Sequence, residues 1–126
     1  GNKSLLSVFQ DRYSEDLFPG SVNWVMHGHI HAFESLSFAT GQPASIVMGN
    51  SGSVNEGVLP ANLEPEFQAA KGAQVAHYAS NTTYGFAILD LPDDPQDAWL
   101  LTEYDVHGQA LLKCTLSQKK SLCKSP

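Results

Sequence analysis

Leu5, Leu6, Val8, Phe9, Tyr13, Leu17 and Phe18 recur at helical spacing, with Gln10, Asp11, Arg12 and Glu15 between them, which predicts a helix over 4–18. Pro19-Gly20 stops it. Val22 to Met26 is short, apolar and β-branched, and reads as a buried strand. Two further strands are expected at about Phe33–Ala39 and Ala44–Met48, joined through Gly41-Gln42-Pro43. Gly49-Asn50-Ser51-Gly52 forms a tight loop after the second, and Asn50 is read there as a turn former. Residues 53–72 read as loop, with one helical turn around Glu66–Ala70. Strand signals return at Gln74–Ala79, Tyr84–Leu91, Ala98–Val106 and Ala110–Leu116, with His107-Gly108-Gln109 as the last turn. The expected fold is α/β: one N-terminal helix, then mostly antiparallel strands, in a single unit whose residues 117–126 are a fraying tail.

Composition leaves this picture intact. Of 126 residues, 42% are apolar and 16% charged, enough for a folded core. No apolar run approaches the length that spans a membrane, and no signal peptide is visible. Charge narrows the function. The net charge is −6, and Lys113, Lys119, Lys120 and Lys124 hold four of the seven basic positions near the C-terminus, so no basic surface for nucleic acid is expected. An acidic chain still acts on phosphate esters when bound metal supplies the positive charge.

Candidate chemistry concentrates in Trp24-Val25-Met26-His27-Gly28-His29-Ile30-His31-Ala32-Phe33-Glu34, which carries three of the five histidines. In an extended chain His27, His29 and His31 would face one side, and imidazole is a common metal ligand. Taken alone, the spacing allows a mononuclear site of all three residues in a non-catalytic, β-rich metal-binding module. A His-x-His-x-Asp-His pattern fails, because Phe33 and Glu34 (or His31 and Ala32) occupy its last two positions.

Gly28-His29-Ile30-His31, at the end of an apolar strand and followed by Ala32-Phe33-Glu34, resembles the last metal motif of calcineurin-like metallophosphoesterases, in particular the purple acid phosphatase branch. The resemblance continues through the hairpin, Gly49-Asn50-Ser51-Gly52, Tyr84-Gly85-Phe86 and Tyr104-Asp105 with His107-Gly108, covering about residues 20–116. It implies a layered α/β sandwich and hydrolysis of a phosphate-ester substrate by metal-activated water. It also implies two metal ions, Fe, Zn or Mn, with His29 a ligand to one and His31 to the other, and Gly28 letting the backbone turn so that the rings diverge. His27 matches no ligand. It either contacts the substrate phosphate or ends the strand, and the second is preferred.

That family's other ligands stand upstream of this motif, in Asp-x-His, Gly-Asp-x-x-Asp and Gly-Asn-His sequences. Here 27 residues precede Gly28 and carry none of them. Asp105-Val106-His107 matches the first by letters and is read as chance. The chain is therefore expected to be the C-terminal half of such a domain, inactive without its N-terminal half. Cys114 and Cys123 either form a disulfide, implying a periplasmic or secreted protein, or remain two thiols of a cytoplasmic one. The paired count and placement favour the disulfide. His77 is read as a structural strand residue, and Asp93, Asp94 and Asp97 as a solvated loop.

Overall fold

A computed structural model describes residues 3–126 except 53, 55, 56, 58, 65 and 66. Its elements are α1 (Lys3–Tyr13), a 3-10 turn (Ser14–Asp16), β1 (Trp24–His27), β2 (Phe33–Phe38), β3 (Ala44–Met48), β4 (Gln68–Ala70), β5 (Ala73–Asn81), β6 (Gly85–Asp90), β7 (Trp99–Asp105), β8 (Ala110–Ser117) and β9 (Lys120–Lys124). The chain is thus an α+β domain, with one helix and mostly antiparallel strands.

The strands form two sheets, ordered β1-β3-β2-β5-β4 and β6-β7-β8-β9. They stack face to face. Phe33 and Ile46 from the first meet Leu101, Cys114 and Leu116 from the second, all fully buried or nearly so. Trp24 and Trp99 close one side of this core, with ring centroids 5.0 Å apart in an edge contact. Alternation along β2 sends Phe33, Ser35 and Ser37 inward. The serines there find partners across the gap: Ser35 Oγ lies 2.6 Å from Ser121 Oγ, and the Ser121 amide donates to Ser37 Oγ.

The helix is shorter than the expected 4–18. Ser14 and Leu17 adopt left-handed backbone (φ 55° and 62°), folding Phe18 back against Phe9. Helix α1 has no buried residue, so little packing holds further turns together. The first strand begins two residues later than expected, because the Val22 amide closes a turn on the Pro19 carbonyl. Of the helical turn expected at 66–70, position 66 lies outside the described residues. Gln68–Ala70 instead pairs antiparallel with β5, through a turn at Gly72 (φ 79°).

The largest departure is β9, where a fraying tail was expected. Its register with β8 sets Ser117 opposite Lys120, so Gln118 and Lys119 alone make the turn, at φ 45° and 65°. Two left-handed residues in a two-residue hairpin turn are a role usually signalled by Asn or Gly. Neither is present, so the hairpin carries no turn signature. The tail lysines are not simply solvated. Lys119 Nζ donates to the Gly41 carbonyl (3.0 Å) and Lys120 Nζ to the Phe38 carbonyl.

Cys114 and Cys123 stand directly opposite in the β8–β9 register and form a disulfide. Closing so short a loop contributes about 2–3 kcal/mol in the chain-entropy treatment. Cys114→Ala with Cys123→Ala is expected to lower the thermal midpoint by on the order of 10 °C. An unchanged midpoint in calorimetry would show that strand pairing alone secures β9.

Candidate metal centre

The candidate site follows from the parallel pairing of β1 with β3, from Trp24↔Ala44 to His27↔Val47. Parallel partners end on the same side, so the loops after His27 and after Met48 emerge together. Ligand sites in sheets with parallel strands gather at such carboxyl ends.

The three histidines do not continue as an extended strand. The Ile30 amide donates to the Gly28 carbonyl (3.1 Å) and the Ala32 amide to the Ile30 carbonyl (2.9 Å), giving two successive three-residue turns centred on His29 and His31. His29 adopts φ 78°, a rare and strained setting for a residue that carries a Cβ. This corrects the role assigned to Gly28: a Cβ built on Gly28 meets nothing within 4 Å, and the left-handed turn falls on His29 itself. It also corrects the idea of one shared histidine face. His27 lines a hollow of about 230 Å³ with Leu17, Phe18, Val25, Leu36 and Phe38. The described residues gather no group of three His, Cys, Asp or Glu side chains able to hold a metal.

His29 is exposed and His31 half-buried. His31 Nδ1 lies 2.5 Å from the Val54 carbonyl. A carbonyl only accepts, so Nδ1 is the donor, and in the neutral ring Nε2 then holds the lone pair. This is the arrangement that fixes a histidine for metal ligation.

The loop after β3 props the histidine loop. Gly49 donates to the Ala32 carbonyl (3.0 Å), and a Cβ on Gly49 would lie 1.8 Å from the Ile30 carbonyl oxygen. Only glycine allows that approach. Asn50 is 3% exposed and is more than a turn residue: its Nδ2 donates to the Thr83 carbonyl and to Glu103 Oε1, both at 2.9 Å. Its own carbonyl accepts the Gly85 amide at 3.1 Å.

Glu103, on β7, is fully buried, and its Oε2 has no hydrogen-bond partner among the described residues. Burial raises its carboxyl from 4.5 to about 7, against the lowering influence of the Asn50 hydrogen bond and of the Asn81 amide nearby. Sequence reading passed over this residue. The available signal was a charged side chain at the inward position of Trp99-Leu100-Leu101-Thr102-Glu103. Glu34, next to the core residue Phe33, is half-buried, and burial raises its carboxyl too.

The remaining candidates serve turns or strands. Asp105 Oδ1 accepts the His107 and Gln109 amides, both at 2.8 Å, which accounts for the Asp105-Val106-His107 letters as a hairpin cap. Asp94 Oδ1 accepts the Gln96 amide in the acidic loop. His77 sits exposed on β5.

No protein-family model, curated protein or solved structure matches the chain.

Two outcomes follow from this geometry. Gly49→Ala is expected to destabilise by about 1–3 kcal/mol, since backbone must shift to admit the methyl. Its histidine ring resonances should also move, and unchanged spectra would refute the contact. For Glu103 the sign is set by a raised acid. Below its ordinary 4.5 the group is neutral whether folded or not. Between 4.5 and about 7 the unfolded chain releases the proton while the folded one keeps it, so stability falls, and above about 7 it levels off. This group alone then lowers the unfolding free energy by about 3 kcal/mol between about pH 4 and pH 8. Glu103→Gln should flatten that slope in urea titrations, and an identical slope would place the charge elsewhere.

Proposed function

We propose that this chain provides the C-terminal half of a metal-dependent phosphoester hydrolase similar to calcineurin-like metallophosphoesterases, with His29 ligating one metal ion and His31 the other. The observation that carries the proposal is the His31 ring: its Nδ1–H is spent on the Val54 carbonyl, and its Nε2 lone pair is left for a ligand. The two consecutive turns support it by pointing the chain differently at His29 and His31, as ligands to two separate ions require. The residues therefore fit a share of a two-metal site. Fe, Zn or Mn, when bound, would activate water for attack at phosphorus and offset charge on the phosphate oxygens. The chain's own part is to hold the two rings apart on a braced loop. His27, exposed at the last position of β1 and bordering the hollow beside Phe18 and Leu36, is read as the end of its strand rather than a phosphate contact.

The other ligands would come from the N-terminal half of the domain. Strand β1 lies at the edge of its sheet, and among the described residues no strand pairs on its side away from β3, where a further strand would lie next to the histidines. The Cys114–Cys123 disulfide, with no free cysteine left over, supports a periplasmic or secreted setting. No described helix is long and apolar enough to cross a membrane.

Titrating the chain with zinc by calorimetry tests the assignment. Weak binding is expected, reduced at least tenfold by His29→Ala or His31→Ala and little changed by His27→Ala. Hydrolysis of an aryl phosphate with added manganese, zinc or iron should stay at background. Turnover by the chain alone, abolished by His29→Ala, would show the site to be complete as it stands. Equal loss from all three substitutions would favour a single site built from all three histidines.

A further inference from the structure

We propose that Asn50 and Glu103 are positioning residues that set the conformation of the His29–His31 loop from the opposite sheet. The inference rests on the metal-site reading for its purpose, but not for its geometry.

The path is short and each step is a contact. Glu103 Oε1 on β7 accepts the Asn50 amide at 2.9 Å. The same Nδ2 reaches the Thr83 carbonyl, just before β6, and the Asn50 carbonyl holds the Gly85 amide. Asn50 is thus tied at two points to the second sheet and at a third to the connection leading into it. Gly49, its neighbour, bonds the Ala32 carbonyl and lies against the Ile30 carbonyl, within the span where the backbone turns at His29 and His31. Beyond its two turn hydrogen bonds and the His31–Val54 contact the histidine loop is little covered: His29 and Ile30 are exposed, Ile30 44% so. Its support from below comes through Gly49, and Asn50 is the part that carries that constraint from one layer to the other.

Glu103 looks poorly chosen for stability. A carboxyl with one unsatisfied oxygen in a core is worse than an apolar side chain of similar size. Its retention is explained if the acceptor it offers to Asn50 is what matters. Glutamine offers the same acceptor without the ionisable group, and leucine offers none.

This distinguishes positioning from a merely structural role. Hydrogen exchange resolved to single amides is followed at Ile30, Ala32 and Gly49, the three donors of the loop, with the β8–β9 amides as an internal control. Glu103→Leu is expected to keep or raise the thermal midpoint at pH 8 yet speed exchange at the three loop amides about tenfold. Glu103→Gln should restore exchange to within about twofold of the native chain. Asn50→Ala should speed it at least as much as Glu103→Leu, with β8–β9 unchanged. Loop exchange unaffected by both Glu103→Leu and Asn50→Ala would overturn the proposal. So would a rise spread evenly over loop and control. If Glu103→Leu does not fold, Asn50→Ala against Glu103→Gln decides the matter in the same way. Zinc titration of the same proteins separates the two readings. Weaker zinc binding wherever loop exchange is faster supports both. A native chain that binds no zinc, with the exchange pattern intact, supports the positioning residues and overturns the metal assignment instead.

Discussion

Parallel pairing of β1 with β3 is the constraint on which the candidate site depends. Antiparallel neighbours would send their following loops to opposite ends of the sheet. Parallel ones deliver Gly28–Ala32 and Gly49–Asn50 to the same end, where one backbone can lie on the other. That contact is so close that it excludes any side chain at Gly49, and it turns a glycine-rich loop into a support. The strain at His29 is sustained because the surrounding backbone leaves it little alternative.

The two sheets are joined by apolar packing and by buried polar contacts. Phe33, Ile46, Leu101 and Leu116 supply the non-directional attraction. Ser35 and Ser37 with Ser121, and Asn50 with Glu103, supply direction: each fixes how one layer is registered over the other. Apolar contacts tolerate sliding by fractions of an ångström, whereas a buried hydrogen bond loses strength quickly with distance and angle. The polar links are therefore where the layers are aligned.

Most strands were legible in the sequence because alternation and turn residues marked them. The Gly41-Gln42-Pro43 connection and the His107-Gly108-Gln109 turn are examples, both lying between strands with clear apolar sets. The β8–β9 turn was not legible, because Gln118 and Lys119 take left-handed conformations that their types do not advertise. The end of the helix was misjudged because Leu17 and Phe18 kept the helical spacing while returning to Phe9 through a bend. At the candidate site, the residue types at 28–31 singled out the loop for its histidines. Which residue carries its turn depended on contacts with residues 49 and 54, far along the chain. Glu103 showed only as a charged side chain at an inward strand position, and its pairing with Asn50, on another element, is not visible in the local pattern.

The disulfide is asymmetric in its surroundings. Cys114 is fully buried among the core residues, while Cys123 is only partly covered and borders a cleft of about 350 Å³ with Ser121 and His77. A small thiolate arriving from solvent therefore meets the Cys123 sulfur. Exchange at that sulfur expels the Cys114 thiolate into an apolar interior, where a bare negative charge is poorly tolerated and the leaving group is correspondingly sluggish. Reduction thus proceeds readily only once β9 has lifted from the core. The lifetime of the cross-link in a reducing medium is set by how often that edge of the sheet opens.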